Sequence, residues 1–264
     1  MLALENVTKY FNKGTVNEVL ALNGLTLTVQ DGDFITVIGS NGAGKSTTLT
    51  CIAGGFRPDS GSIQLEGTDI TAWPEYRRAA LIGRVFQDPL MGTSANASIE
   101  QNLALAMKRG QRRNLSRAVK DKDRPWFREQ LATLGLGLEN RLRDTAGLLS
   151  GGQRQALTML MATMVRPRLL LLDEHTAALD PKTAQQILTL TRNIVESQKL
   201  TTLMVTHNMH QALDFGNRLI MLDRGEIILD VNGEEKRNLT VEDLLQRFYS
   251  LRGEAMGSDR LLLG

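Results

Sequence analysis

Gly39-Ser40-Asn41-Gly42-Ala43-Gly44-Lys45-Ser46-Thr47 follows a short apolar run over 34–38 and precedes about ten residues of helical pattern. Strand, glycine loop, helix is the order that a phosphate-binding site requires. The spacing is G-x-x-x-x-G-K-S. Its glycines let backbone N–H groups turn inward around phosphate oxygens without a Cβ clash. The helix that follows points its positive dipole end at the same anion. Lys45 is then placed to reach the β- and γ-phosphates of ATP, and Ser46 to ligate Mg2+.

Further along, Leu169-Leu170-Leu171-Leu172-Asp173-Glu174 reads as a buried strand ending in two acids. A buried parallel strand presents ligands at its carboxyl end, on the side where a phosphate loop lies. Asp173 is expected in the magnesium shell, and Glu174 is expected to polarise the attacking water as general base. Leu149-Ser150-Gly151-Gly152-Gln153 is a second glycine-containing helix start. Ser150 is a good N-cap, and the two glycines leave amides uncovered, so this segment reads either as an anion site or as a plain cap after a loop.

The rest of the chain sets bounds. Its 264 residues allow one large domain or two lobes, and 42% hydrophobic content is ample for a core. Charge is nearly balanced, 31 basic against 29 acidic residues, net +2, which does not suggest a nucleic-acid partner. The single cysteine, Cys51, makes no internal disulfide and no metal cluster; it is expected in the core. MLALENVTKY carries Glu5 and no long apolar stretch, so it does not read as a signal peptide. No run approaches ~20 apolar residues, so no segment is expected to span a bilayer.

Strands are expected over 2–7, 25–29, 201–206, and in a hairpin of 218–223 and 226–231 around Asp223-Arg224-Gly225. A turn or loop fills the gap before 25, and 56–71 reads as a turn and hairpin. Helical pattern covers 97–107, 126–135 and 151–165, then 240–252, with a loose tail over 253–264. The expected fold class is α/β: a core lobe with an antiparallel β subdomain, interrupted by a helical lobe at about 90–165.

In order, GSNGAGKST, Gln87, LSGGQ, LLLLDE, AALD and His207 resemble the ATP-binding cassette (ABC) family over roughly 1–235, with 236–264 as a C-terminal helix and tail. LSGGQ is that family's signature. The resemblance implies a P-loop NTPase core lobe and an inserted helical lobe. It implies a head-to-tail dimer with a second copy, each ATP lying between one phosphate loop and the other copy's LSGGQ. Ser150, Gly151, Gly152 and Gln153 are then nucleotide-contacting, with Ser150 and Gly152 at the γ-phosphate. Gln87 matches the glutamine that touches magnesium and the attacking water. Asp180 matches the D-loop, and His207 the switch histidine. Phe11 matches the aromatic that stacks on adenine, with Tyr10 as competitor. His175 stands where the family has proline; it either binds near the γ-phosphate or is a substitution that changes loop rigidity. Ala156 and Met161 replace arginines usual on the helix after LSGGQ.

The implied activity is ATP hydrolysis driving an importer through separate integral membrane permease subunits, and indirectly a substrate-binding protein. The chain itself would sit at the cytoplasmic face of the membrane. The wording around VFQDPLMGTSANASIEQNLALA is similar to a subfamily linked to tryptophan-like amino acids. Leu90 and Met91 are expected in the groove that receives a membrane subunit. The stretch 108–124 holds eight basic residues against two acidic ones, either a solvated face or a contact for anionic lipid through Arg112, Arg113 and Arg117. An exporter or other membrane machine is the alternative. Soluble repair or translation cassettes fit less, because their coiled-coil insertions, zinc cysteines and paired cassettes are missing from this sequence.

Overall fold

The computed structural model describes residues 1–111 and 119–252. Arg112, Arg113, Arg117 and the tail 253–264 lie outside the described residues. In chain order the elements are β1 (Leu2–Phe11), β2 (Val19–Val29), β3 (Phe34–Gly39), α1 (Lys45–Ala53), β4 (Ser60–Leu65), β5 (Thr68–Asp69) and α2 (Glu75–Arg78). Next come β6 (Ile82–Val85), α3 (Ile99–Met107), α4 (Arg124–Ala132), α5 (Gly151–Thr163), β7 (Leu169–Asp173) and α6 (Pro181–Gln198). The chain continues through β8 (Thr202–Val205), α7 (Met209–Asp214), β9 (Arg218–Asp223), β10 (Glu226–Asn232), α8 (Gly233–Arg237) and α9 (Val241–Arg252). Contacts divide the chain into two compact units, Met1–Arg78 with Thr201–Gly264, and Ala79–Leu200.

The first unit holds two sheets. An antiparallel sheet runs β2-β1-β4-β5. β1 and β2 are longer than the sequence pattern indicates, reaching Phe11 and starting at Val19. Register shifts between Leu4 and Val7, Val7 and Lys9, and Lys9 and Tyr10 break the alternation that marks a strand. Only 12–18 remains as a turn, held by Thr15 N–H to Asn12 O and Glu18 N–H to Thr15 O. The second sheet places β3 between β8 and β9, parallel to both, with β10 antiparallel at the edge. β3 is buried from Phe34 to Ile38, as a strand covered on both faces must be. Ile38, Leu219 and Met221 pack with Val241, Leu244 and Phe248 of α9.

The second unit pairs β6 with β7 in parallel register, Val85 opposite Leu172. Its apolar core gathers Ile99 and Leu103 of α3, Phe127 and Leu131 of α4, Ala156, Leu157 and Leu160 of α5, and Ile187 of α6. Two elements here were not expected: β6, only four residues long, and the 18-residue α6. Asp180-Pro181 starts α6 as N-cap and first-turn proline. Its buried positions, Ile187, Leu188, Thr191 and Val195, keep helical spacing.

Candidate functional site

In the first unit, three parallel strands aim their carboxyl ends the same way, and each ends in a polar feature. β3 runs into the glycine loop. Its backbone is left-handed at Gly42 (φ 78°) and Gly44 (φ 100°). A Cβ at Gly44 would come within 2.6 Å of Ala21 O, so only glycine fits there. Gly44 is the N-cap of α1, so the glycine loop leads directly into the amino end of a helix, the end whose dipole attracts an anion. Lys45 is buried, and its Nζ donates to Gly39 O at 2.8 Å and Ser40 O at 3.0 Å. Ser46 and Asn41 are exposed, Thr47 is half-buried, and Ala43 N–H closes a turn onto Ser40 O.

Neighbouring β8 leads to His207. Thr206 N–H bonds Val37 O of β3. Thr206 Oγ1 then donates to Gln211, and Asn208 accepts from Gln211 N–H as the cap of α7. His207 is therefore an exposed imidazole in a turn fixed on both sides. On the other neighbour, β9, Asp223 accepts from Ser40 Oγ at 3.3 Å. Sequence reading did not single out Asp223; its position just before the Arg224-Gly225 turn marked it only as part of a hairpin.

Phe11 ends β1 and meets Phe56 edge-on, ring centroids 5.1 Å apart. The competing Tyr10 ring lies under Lys13 Nζ at 4.8 Å. Cys51 on α1 is fully buried, and burial pushes its thiol up to about 11, which makes it inert.

In the second unit, Asp173 and Glu174 stand at the carboxyl end of β7. Gln87 stands two residues beyond Val85 on β6, as Glu174 stands two beyond Leu172. The strand pair thus brings Gln87, Asp173 and Glu174 to one end. Asp173 is 8% exposed and faces Arg84 Nη2 of β6 at 3.5 Å. Glu174 takes a left-handed backbone, φ 43°, which costs a non-glycine residue about 1 kcal/mol or more.

His175 is turned into the interior of its own unit. It is 2% exposed, and its Nε2 lies 3.0 Å from Thr191 Oγ1 of α6. Burial pushes the imidazole down to about 4, so it is neutral at ordinary pH. Of the two readings of His175, the phosphate contact is set aside.

Ser150 and Gln153 form a capping box at the start of α5: Ser150 Oγ accepts from Gln153 N–H, and Gln153 Oε1 accepts from Ser150 N–H. Gly151 is exposed and Gly152 buried. A Cβ at Gly152 would meet Thr183 Cγ2 of α6 at 2.2 Å, so glycine allows α5 and α6 to close on each other. Asp180 accepts from Thr183 N–H as the cap of α6; the bonds from Thr183 hold its carboxyl below the usual range.

No group of three or more His, Cys, Asp or Glu among the described residues can cage a metal. Within the second unit, Gln87 and Asp173 offer oxygens to a magnesium ion, whose shell would have to be completed by phosphate and water. That fits an ion that keeps waters and binds by one or two carboxylates plus substrate phosphates.

A glycine loop after one parallel strand and an acid pair after another, Asp173 buried and Glu174 half-buried, are the marks of a phosphate-loop ATPase. The family model described as ABC transporter matches residues 22–177, and the chain belongs to that family. It binds and hydrolyses ATP as an ATP-binding cassette. A tyrosine transport ATP-binding protein of Clostridioides difficile is 44% identical over 248 residues, covering 94% of this chain and 98% of the relative. A methionine import ATP-binding protein of Corynebacterium efficiens is 34% identical over 228 residues, 84% of this chain but 60% of its own length, so this chain spans less than two thirds of that relative. Among solved structures, a dimeric ATP-binding cassette in a post-hydrolysis state bound to ADP and Pi superposes with TM-score 0.74 at 28% identity, covering 88% of this chain and 98% of that one. The ADP conformation of an ABC transporter cassette gives TM-score 0.75 at 26% identity, covering 94% and 98%.

Proposed function

We propose that this chain is the Mg-ATP-hydrolysing subunit of an importer for an aromatic amino acid. It would work as a head-to-tail pair of copies at the cytoplasmic face of the membrane. The observation that carries the nucleotide part is the glycine loop between β3 and α1, left-handed at Gly42 and Gly44, where a Cβ at Gly44 would meet Ala21 O at 2.6 Å. The tyrosine transport relative, matched along nearly its whole length, supports the cargo class.

Roles follow from the chemistry of each group. The amides over Gly39, Ser40, Asn41, Gly42, Ala43 and Gly44 bind phosphate oxygens, and Lys45 exchanges its carbonyl partners for the β- and γ-phosphates. Phe11 stacks on adenine. Ser46, Gln87 and Asp173 would hold magnesium, which supplies charge neutralisation on the phosphate oxygens. Glu174 takes a proton from the attacking water, Gln87 orients that water, and His207 donates to the γ-phosphate. Ser150, Gly151, Gly152 and Gln153 of the second copy complete the cage, and Asp180 lines the contact between copies. Closure of the pair would move separate permease subunits fed by a substrate-binding protein. No helix among the described residues is long and apolar enough to cross a membrane. Leu90 and Met91, 53% and 68% exposed after a turn capped by Asp88, offer an apolar docking point. No role is assigned to nucleic acid.

The test is Glu174→Gln. With ATP it should bind nucleotide, lose at least about 100-fold in turnover, and run as a dimer by light scattering. A variant that stays monomeric and hydrolyses like the parent would overturn the assignment. For cargo, the substrate-binding protein that purifies with the native complex should bind tyrosine or tryptophan more tightly than methionine in calorimetry; the reverse order would reject the aromatic class.

A further inference from the structure

We propose that His175 is a positioning residue for Glu174: by donating from Nε2–H to Thr191 on α6, it fixes the turn that aims the Glu174 carboxylate. This rests on Glu174 being the general base.

The direction of the bond follows from its neighbours. Thr191 Oγ1 donates its one proton to Ile187 O at 2.8 Å. Toward His175 it therefore acts only as an acceptor, so Nε2 carries the hydrogen. Both groups are buried, Thr191 at 0% exposure and His175 at 2%. In such surroundings a bond between neutral groups is well defined, and its loss leaves an unpaired donor.

The segment this bond holds is the one that needs holding. Glu174 sits at φ 43°, a conformation that persists only where the surroundings impose it. After it come two successive turns, Ala177 N–H to Glu174 O at 2.9 Å and Leu179 N–H to Thr176 O at 3.2 Å. The segment then ends at Asp180, tied to Thr183 N–H. α6 is thus fastened to this segment near its start, through Asp180 and Thr183, and again at Thr191, eight residues or about 12 Å further along the helix. Two fastenings that far apart prevent the turn from sliding or tilting against α6. The family pattern places a proline at this position and stiffens the turn covalently. Here a hydrogen bond does the same, and the turn depends on α6 for its geometry.

The experiment measures kcat, KM and the Kd of a fluorescent ATP analogue for the full-length protein and its variants. Thr191→Val and His175→Leu should each lower kcat about tenfold, since a small misplacement of a reacting group has that effect. Kd should stay within about twofold, because the phosphate loop is untouched. Thr191→Ser, which restores the hydroxyl, should recover most of the turnover. The double variant should be no slower than the slower single one, as expected of two partners in one bond. Should Thr191→Val not fold, His175→Gln against His175→Leu makes the same comparison, with glutamine retaining an N–H donor. Parental turnover in Thr191→Val, equal turnover in the Ser and Val variants, or a Kd that weakens in step with kcat would overturn the proposal. Glu174→Gln separates the two claims: parental turnover there defeats the general base itself, whereas loss there with an unaffected Thr191→Val defeats only the positioning.

Discussion

Lys236 on α8 shows how one side chain can tie stability to pH. It is 3% exposed, and its Nζ donates to Phe215 O, to Gly216 O at 3.1 Å and to Thr36 Oγ1 at 3.5 Å on β3. Burial pushes the ammonium down to about 8 from 10.5, against an opposing pull from Asp214. Between those two values the unfolded chain holds a proton that the folded chain has released. The unfolded state binds more protons there, so stability rises with pH through the window, and the full penalty is present below about pH 8. Urea midpoints at pH 8 and pH 10 should therefore rise for the parent relative to Lys236→Met, which lacks the titrating group. No difference between the two pH slopes would mean that the ammonium is not held as described. None of this was legible in the sequence, where Lys236 is one charge in a polar Glu-Glu-Lys-Arg run.

At the scale of elements, the two helices assigned to phosphate share a device. Each begins at a glycine-containing turn and has its last carbonyls held by an arginine from another segment. For α1 it is Arg78, fully buried, donating to Cys51 O at 2.7 Å, Ile52 O at 2.9 Å, Thr71 O at 3.0 Å and Trp73 O at 3.0 Å. For α5 it is Arg109, donating to Ala162 O at 2.9 Å and to Val165 O. A cation at a helix C-terminus complements the dipole whose positive end would face phosphate. Arg78→Met leaves four carbonyls without that partner and should cost about 3 kcal/mol in urea denaturation. Ser150→Ala, which removes one cap on an exposed turn, should cost only about 1 kcal/mol. Equal costs would mean that α1 is not anchored through Arg78. The cap at Ser150 was readable from its residue type, while its reciprocal bond with Gln153 is seen in the structure. Arg78 was not, because the two carbonyls of α1 that it holds, Cys51 O and Ile52 O, lie far from it in sequence. α6 went unread because Asp180-Pro181 looks like a loop; its helix is visible only once Ile187, Leu188, Thr191 and Val195 are seen to share a buried face.

For the whole molecule, the head-to-tail reading makes a prediction that no single variant tests. Lys45→Ala damages the phosphate loop, and Gly152→Asp puts a carboxylate where the second copy's phosphate is assigned. Each should hydrolyse almost no ATP alone. In a mixture, half of the pairs contain one chain of each kind, and two-fold symmetry gives each such pair one site with both parts intact. Phosphate release should recover to as much as about a quarter of the parent's value. A mixture as inactive as its components would reject the composite site.

The chemistry of the loop, the acid pair and the capping box was fixed by residue type at short spacing, since glycine, lysine and serine act there through their own backbone and side-chain geometry. Local order was enough to place strand, loop and helix around Gly39–Thr47. Long-range packing decided what short spacing cannot carry. It gave His175 to Thr191, Asp173 to Arg84, Ser40 to Asp223 and Arg78 to the end of α1. Each of those partnerships exists only because burial removes water from groups brought together across many residues of chain, where a polar atom must find a partner in the protein.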